Sequence, residues 1–305
     1  MGLSRRQFLT RGLALGGAGA LLSGMPRSSF DSTEDLEIVQ VEIPIEGLAR
    51  ELHGYRIGLL TDIHLGVAIR TDFVASAFSA VLAASVDMLL LGGDYLWIAE
   101  SSLGKLLQPA RSPEFLAPRS DVKRAESIFR TLASLLPHTP PRDGMFWVFG
   151  NHDRWVHPKM AETILGDTSA RLLVNEQVEI ERGESSILLV GADDYLTGVP
   201  RVPHLVRWRK GPTILLSHNP DHVGALSERG QLGLFDLALC GHTHGGQIHL
   251  PMIGAPLYNV RHHRFGAGLV QENGCSVYTS RGIGVVELPY RIGCRPEATI
   301  ITLVG

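Results

Sequence analysis

Five short hydrophobic segments along the chain each end directly before polar side chains that bind metals or protons. Uninterrupted apolar runs of this length are typical of strands buried in an α/β sheet. The polar endings are carboxylates, an amide and imidazoles. The pairs are residues 57–60 with Asp62-Ile63-His64, 88–91 with Asp94, 145–149 with Asn151-His152-Asp153, 214–216 with His218, and 237–240 with Gly241-His242-Thr243-His244.

The first half of the chain alternates between strands and helices. Residues 36–45 alternate polar and apolar side chains, as expected of an edge strand. Residues 71–85 carry apolar residues at helical spacing, with Thr71 or Asp72 as the N-terminal cap. With the strands at 56–61 and 86–91, this helix forms a strand–helix–strand unit. Two further helices are predicted at 121–136 and 158–165, and a loop or small lid between Tyr95 and Ser120.

The second half contains mostly strands. They are predicted at 171–180, 186–190, 236–240, 276–279 and 299–303, with a hairpin turn at 181–184 and a short helix that includes 225–228. Helices are therefore concentrated early in the chain and strands late. This distribution predicts an α/β protein with two mixed β-sheets packed face to face and helices on their outer faces.

The five polar endings are expected to form one site, because the carboxyl ends of strands in such a sheet meet at one crevice. Carboxylate, amide and imidazole are a set that holds two divalent metal ions. In Gly241-His242-Thr243-His244, histidines at i and i+2 of a tight loop can reach neighbouring ions, whereas a helix would need i and i+4. Each ending alone would be read as a turn, but together they favour a dinuclear metal site.

Composition excludes some classes of function. The chain has 305 residues, enough for one or two domains, with 44% hydrophobic and 19% charged residues. A net charge of −3 provides no basic face, so no nucleic-acid partner is expected. Cys240, Cys275 and Cys294 include no Cys-x-x-Cys pair for structural zinc. Spacing alone leaves open whether Cys275 and Cys294 form a disulfide.

The N-terminal residues carry an export pattern. Ser4-Arg5-Arg6-Gln7-Phe8-Leu9 precedes the apolar stretch 12–24, which is too short to span a membrane comfortably. The pattern resembles a bacterial twin-arginine (Tat) export signal. We therefore expect a signal and linker at 1–34, a folded domain at 35–305, the Tat machinery as a partner, and a location in the periplasm or cell envelope. Cleavage at Ala18-Gly19-Ala20 would truncate the apolar core, so retention as an N-terminal membrane anchor is the alternative to cleavage.

The order of the polar motifs resembles the calcineurin-like metallophosphoesterase superfamily. The order is Asp-x-His, Gly-Asp, Gly-Asn-His-Asp, a single His and Gly-His-x-His, between Arg56 and Gly246. The runs Gly-His-Thr-His-Gly-Gly-Gln and Thr279-Ser280-Arg281-Gly282 look like those of its exported, single-domain phosphohydrolases. The resemblance supports a four-layer αββα sandwich and implies an enzyme that hydrolyses phosphoester or pyrophosphate bonds.

The resemblance also implies the metal ligands. The first ion would take Asp62, His64, Asp94 and His244. The second would take Asn151, His218, His242 and again Asp94, which would bridge the two ions. The two divalent ions are expected to be manganese, iron or zinc. About 3.5–4 Å apart, they would share a hydroxide that attacks phosphorus in line with the leaving oxygen.

His152 is the catalytic residue that the resemblance implies. In this superfamily the histidine of Gly-Asn-His stabilises the transition state or protonates the leaving oxygen. Many relatives orient it with the second aspartate of a Gly-Asp-x-x-Asp motif, but Trp97 occupies that position here. The orienting partner is therefore missing or different. Asp153 is expected to fix the loop rather than to contact His152.

The substrate class stays open. The apolar run Leu250-Pro251-Met252-Ile253 follows the last histidine motif and, if exposed, favours peripheral membrane contact and a cell-envelope or lipid-linked phosphoester. The alternatives are a soluble nucleotide or phosphodiester substrate, and a metal-binding scaffold without activity. The complete ligand set and His152 favour an enzyme.

Two further segments have alternative interpretations: Asp193-Asp194 as a loop turn that could lie near the site, and Arg261-His262-His263-Arg264 as a solvated loop or a phosphate contact.

Overall fold

The computed structural model describes residues 33–66, 68–98, 119–202, 210–250, 254–256 and 258–305. Three predictions fall on residues outside these ranges. They are the export signal, the central part of the loop between Tyr95 and Ser120, and residues 251–253 of the apolar run.

The first β-sheet of the described chain is mixed and has six strands. Its order is β1 (Glu37–Pro44), β12 (Glu297–Val304), β2 (Arg56–Leu60), β3 (Met88–Leu91), β4 (Met145–Trp147) and β5 (Ala170–Leu172). Strands β2 to β5 are parallel neighbours, whereas β12 runs antiparallel to β2 and parallel to β1. The alternating strand β1 lies at the edge, as predicted.

The second sheet is also mixed and has six strands in the described chain. Its order is β10 (Gly268–Glu272), β11 (Cys275–Thr279), β9 (Leu237–Cys240), β8 (Thr213–Leu216), β7 (Ser185–Gly191) and β6 (Glu176–Arg182). The four central strands are parallel, and β10 and β6 pair antiparallel at the two edges. The predicted hairpin turn connects β6 to β7.

Helices cover the outer faces of both sheets. They are α1 (Thr71–Ala83), α2 (Arg119–Leu135), α3 (Asn151–Val156), α4 (Pro158–Gly166) and α5 (Pro220–Glu228). One hydrophobic cluster packs α1, α2 and α4 on the first sheet, a second joins the two sheets, and a third packs α5 on the second sheet. The predicted four-layer αββα sandwich is confirmed.

Strand β3 shows why the strands that lead to the site are apolar throughout. Met88 and Leu90 face the other sheet, while Leu89 and Leu91 face the helices, because side chains alternate along a strand. All four residues are buried, and burying each side chain contributes about 1.5–3 kcal/mol. The strand has no solvent face, so polar groups are placed where the chain leaves the sheet.

The predicted strand at 171–180 was wrong, because it is two strands in different sheets. β5 belongs to the first sheet and β6 to the second. Between them Leu173 is buried in the cluster that joins the sheets, and Asn175 has a φ of 56°. Asparagine is one of the few residues other than glycine that adopt this left-handed conformation routinely. The turn at Asn175 therefore lets the chain cross from one sheet to the other.

Three smaller differences concern helix and strand boundaries. The N-cap of α1 is Arg70 rather than Thr71 or Asp72, and its side chain makes no capping hydrogen bond. The motif Asn151-His152-Asp153 opens a short helix instead of remaining a loop. Strand β10 lies where no strand was predicted.

The structure answers the disulfide question. All three cysteines are buried thiols, so Cys275 and Cys294 are not joined. The Sγ atom of Cys294 instead lies 3.3 Å from the carbonyl oxygen of His244. Among the described residues, no helix has both the length and the apolar composition that crossing a membrane requires.

Candidate metal centre

The five polar endings meet in one crevice at the carboxyl ends of the parallel strands. The loops after β2 and β3 come from the first sheet, those after β8 and β9 come from the second, and α3 follows β4. Each of the seven side chains predicted as ligands belongs to a residue with at most 4% of its surface exposed. They are Asp62, His64, Asp94, Asn151, His218, His242 and His244.

Asp62, His64 and His244 form the first half of the site. The Nε2 atoms of His64 and His244 are 3.1 Å apart. Oδ1 of Asp62 lies 3.6 Å from Nε2 of His244 and 4.0 Å from Nε2 of His64. Three potential ligand atoms thus converge on one point, as a metal ion requires.

Asp94, His218 and His242 form the second half. Nε2 of His218 lies 3.2 Å from Nδ1 of His242 and 3.2 Å from Oδ2 of Asp94. The same Oδ2 is 3.7 Å from Nε2 of His64 in the first half. A single carboxylate oxygen therefore faces both halves, which is the position expected of a bridging ligand.

Backbone carbonyls orient two of the imidazoles. Nδ1 of His218 donates to the Gly92 carbonyl at 2.8 Å, and Nδ1 of His64 donates to the Leu96 carbonyl at 3.3 Å. In the neutral ring this leaves the lone pair on Nε2, the atom that faces the site. These contacts fix the tautomer that can bind a metal ion.

The ligand loops turn sharply. Five ligand residues adopt positive φ: Asp62 at 51°, His64 at 46°, Asp94 at 55°, His242 at 69° and His244 at 53°. Each such residue costs about 1–3 kcal/mol, and such strain clusters at functional sites. The backbone at residue 150 also lies close to the carboxylate of Asp94. This approach requires glycine, since a methyl group on Gly150 would lie 2.7 Å from Cγ of Asp94.

Asp153 fixes the loop after β3, as predicted. Its buried carboxylate accepts N–H bonds from Asp94 at 2.8 Å, Tyr95 at 2.9 Å and Gly150 at 2.8 Å. Burial, and then the neighbouring charge of Asp94, raise the pKa of Asp153 to about 8. Asp153 therefore ties the backbone of the bridging residue to the start of α3.

Burial and mutual charge set the pKa values of the ligands. Burial lowers the pKa of His242 to about 4 and keeps that of His244 well below its ordinary value. Burial also acts to lower the pKa of His218, but the charge of Asp94 outweighs it and raises that pKa to about 10. A divalent ion binds neutral imidazole, so it would displace the proton of His218 on binding.

The residues fit a pair of divalent cations. Oδ1 of Asn151 is buried and has no hydrogen-bond partner among the described residues. An unpaired buried oxygen costs roughly 1–3 kcal/mol, and a cation beside it would remove that cost. The two carboxylates supply negative charge, while the imidazoles and the amide add neutral ligand atoms.

Comparison with known proteins establishes the family. A model of the calcineurin-like phosphoesterases matches residues 55–246, which contain the five polar strand endings and all seven predicted ligands. The chain belongs to the calcineurin-like phosphoesterase family. It is a hydrolase of phosphoesters, and the family uses a dinuclear site of divalent metal ions.

Two relatives and one solved structure are similar to the chain. The chain is 30% identical to the phosphodiesterase YaeI of Escherichia coli over 82% of each protein. It is 31% identical to a Danio rerio transmembrane protein with a metallophosphoesterase domain, over 88% of this chain and 57% of that protein. A solved dimetal phosphatase from Danio rerio has 12% identity and a TM-score of 0.44, with 82% of this chain and 99% of that chain covered.

In this phosphoesterase, His152 lies at the rim of the site. Its side chain is 16% exposed, and Nε2 is 4.0 Å from Oδ2 of Asp94. The imidazole packs between the indoles of Trp97 and Trp155, with ring centroids 4.8 Å away in both cases. Burial lowers the pKa of His152 to about 3. Aromatic packing therefore occupies the place where many relatives carry an orienting aspartate.

The two segments with alternative interpretations have clear roles in the structure. The carboxylate of Asp194 accepts bonds from Leu196 and Thr197, so the segment is a loop turn, and Asp193 pairs with Arg154 of α3 at 2.5 Å. In the 261–264 loop, His262 binds Asp221 and Glu228, and Arg264 binds Glu272. Those two basic side chains are engaged by carboxylates rather than held ready for phosphate.

Sequence analysis missed three polar residues beside the ligands. Asn259 places Nδ2 3.4 Å from Nε2 of His242, and Gln247 folds the 286–290 loop by donating to three carbonyls. Arg291 is fully buried against the carbonyl of His244. Gln247 ends the Gly-His-Thr-His-Gly-Gly-Gln run after the fifth strand ending, whereas Asn259 and Arg291 lie beyond the motifs, where no spacing marked them.

Proposed function

We propose that this protein is an exported phosphodiesterase that uses two divalent metal ions to hydrolyse a cell-envelope or lipid-linked substrate. The proposal assigns Asp62, His64 and His244 to the first ion and Asn151, His218 and His242 to the second, with Asp94 between them. The observation that carries it is the single oxygen of Asp94 that lies near His64 at 3.7 Å and His218 at 3.2 Å. When bound, two such ions supply an activated water and Lewis-acid stabilisation of charge on the phosphate.

The residues of the chain orient the reacting groups. The candidate ligands are buried, whereas the side chain of His152 is 16% exposed, so we assign the approach of substrate to the side of His152. We assign to His152 a hydrogen bond to the leaving oxygen, from the exposed edge of its ring. The indoles of Trp97 and Trp155 restrict rotation of that ring. A fixed donor costs little reorganisation when charge develops on the oxygen.

A diester is preferred to a monoester on one supporting fact, namely that the Escherichia coli relative carries the name phosphodiesterase. A diester has one negative charge on the reacting phosphate. In the described chain the basic residues His262 and Arg264 near this face are already paired with carboxylates. No additional cation is therefore assigned to the second charge of a monoester.

The lipid part of the proposal rests on apolar side chains beside the site. Leu196 is 44% exposed and Val199 is 62% exposed. Their loop is tied to α3, the helix that carries His152, through the Asp193–Arg154 ion pair. Leu196 and Val199 therefore present apolar surface on a loop that is connected to the helix of His152, and the apolar composition of 250–253 in the sequence adds to this support. The Danio rerio relative is named as a transmembrane protein, which agrees with a membrane-proximal substrate.

Adding charge at Leu196 and Val199 should affect lipid substrates selectively. Leu196→Asp combined with Val199→Asp is expected to slow hydrolysis of phosphatidylglycerol in vesicles about tenfold or more, since each lost apolar contact is worth roughly 1.5–3 kcal/mol. Hydrolysis of soluble bis(p-nitrophenyl) phosphate should change less than about twofold, because the ligands and His152 are intact. Leu269→Asp, at a side chain 41% exposed on β10, is the matched control. Equal losses on both substrates would favour the alternative of a soluble nucleotide or phosphodiester.

The export part of the proposal rests on the paired arginines Arg5 and Arg6. Arg5→Lys with Arg6→Lys should leave the protein in the cytoplasm, since the Tat machinery reads the arginine pair as an address. The specific activity of the retained protein should be unchanged, because the pair precedes the described domain. Cell fractionation with an activity assay is the test, and an unchanged extracytoplasmic location would rule out the Tat assignment.

A further inference from the structure

Arg291 is a buried arginine whose guanidinium contacts several backbone carbonyls, as well as Nδ1 of His244 at 3.4 Å and Sγ of Cys294 at 3.7 Å. It has 0% exposure. Nη2 donates to the carbonyls of Gly284 at 2.5 Å, Arg281 at 2.8 Å and Gly282 at 3.0 Å. Nη1 lies 3.3 Å from the carbonyl of His244. One guanidinium thus connects the last histidine loop to the 281–284 segment.

The 281–284 segment lies directly on the backbone of the first two ligands. The Gly284 N–H donates to the Asp62 carbonyl at 2.6 Å, and the Ile283 N–H donates to the Thr61 carbonyl at 3.1 Å. The approach is close enough that a methyl group at Gly284 would lie 2.8 Å from Cβ of His64. Any displacement of this segment would therefore move Asp62 and His64.

We infer that Arg291 is a positioning residue for the first metal ion. It holds His244 from one side and, through the 281–284 segment, Asp62 and His64 from the other. These are the three ligands that only the first ion uses in the proposed function, on which this inference rests. The hydrogen bonds that Arg291 makes do not reach His218, His242 or Asn151, so the second ion should not depend on it.

The chemistry of the side chain explains why arginine is needed. A planar guanidinium offers five N–H donors in a fixed fork, so it can hold several carbonyls in one plane. A lysine ammonium has three donors at one point and cannot reach both His244 and Gly284 in the same geometry. Arg291→Lys keeps the positive charge and removes the fork. A loss of metal affinity in this variant therefore reports the geometry of the guanidinium contacts and not the charge of the side chain.

The test is metal binding to the metal-free full-length protein. Arg291→Lys should bind the first Mn²⁺ about 10–100-fold more weakly than the original protein, the usual range for losing an outer partner of a ligand. The second site should change less than about twofold. In electron paramagnetic resonance the spin-coupled signal of two neighbouring Mn²⁺ ions should give way to the signal of an isolated ion. Arg182→Lys is the matched control, since Arg182 is also buried, at 7% exposure, and pairs with Asp87 and Asp143 rather than with ligand residues or the 281–284 segment.

The outcomes separate the inference from the proposed function. If the original protein binds fewer than two Mn²⁺ ions, the proposed metal assignment itself fails. If it binds two and Arg291→Lys also binds two with unchanged affinity, or if Arg182→Lys loses the first ion equally, the positioning role fails. Should Arg291→Lys not fold, Gly284→Ala decides. The methyl group of Gly284→Ala must push the 281–284 segment away from His64. Selective loss of the first ion in this variant supports the inference, and retention of both ions overturns it.

Discussion

Asp94→Asn is expected to abolish hydrolysis and to leave fewer than two metal ions per chain. The substitution removes the negative charge that faces both halves of the site, while the shape of the side chain is nearly preserved. Losing several kcal/mol of charge stabilisation corresponds to a decrease in kcat of about 10³-fold or more. Elemental analysis of the purified variant and a steady-state assay measure the two effects.

The matched control is Asp143→Asn, since Asp143 precedes β4 and lies at the opposite end of the sheet from Asp94, which follows the parallel strand β3. Asp143 is also largely buried, with 10% of its side chain exposed, and it pairs with Arg182 at 2.8 Å. This variant should lose some stability and keep both metal ions. Near-normal activity of Asp94→Asn, or equal metal loss in the control, would contradict the assignment of Asp94 as the bridging ligand.

The second large effect is expected for His152→Ala. Removing a positioned donor or acid should lower turnover by about 10²–10⁴-fold. Metal content should stay at two ions, because His152 is assigned to neither of them. The loss should be smaller for a p-nitrophenyl leaving group, which needs little protonation, than for an alkyl leaving group.

Comparison of two diesters that differ only in the leaving group separates the possible roles. A loss that shrinks with p-nitrophenolate supports proton donation to the leaving oxygen. An equal loss on both diesters supports stabilisation of transition-state charge instead. A variant that has lost a metal ion would show that His152 is a ligand. This is the competing assignment, because Nε2 of His152 lies 4.0 Å from Oδ2 of Asp94.

Most of the layer architecture follows from the strands that have no polar face. A strand such as β3, with all four residues buried, must be covered on both sides, so sheets stacked between helices are the expected solution. The same strands predict where the polar residues come together, because parallel carboxyl ends share one edge. The crossing at Asn175 was missed because the apolar run Leu172-Leu173-Val174 leads into the next strand with no glycine or proline to mark a turn.

The convergence of the candidate ligands was predictable, and their surroundings were not. The ligands follow strand ends at fixed short spacings, whereas Trp97 and Trp155 approach His152 only through the folded chain. Arg291 lies 47 residues from the histidine it holds, so no local pattern indicates the contact. The loop that Asp221 fixes, through N–H bonds from Arg261 and His262, is equally a product of tertiary structure.

The central claim is that two metal ions, held by these ligands, make the chain a phosphodiesterase. The most direct test is titration of the metal-free protein with Mn²⁺ while hydrolysis of bis(p-nitrophenyl) phosphate and p-nitrophenyl phosphate is followed. We predict no hydrolysis without metal, little after the first equivalent, and full activity after the second, with the diester hydrolysed faster than the monoester. Full activity without metal or after one equivalent, or no hydrolysis of either ester with both ions bound, would contradict the claim.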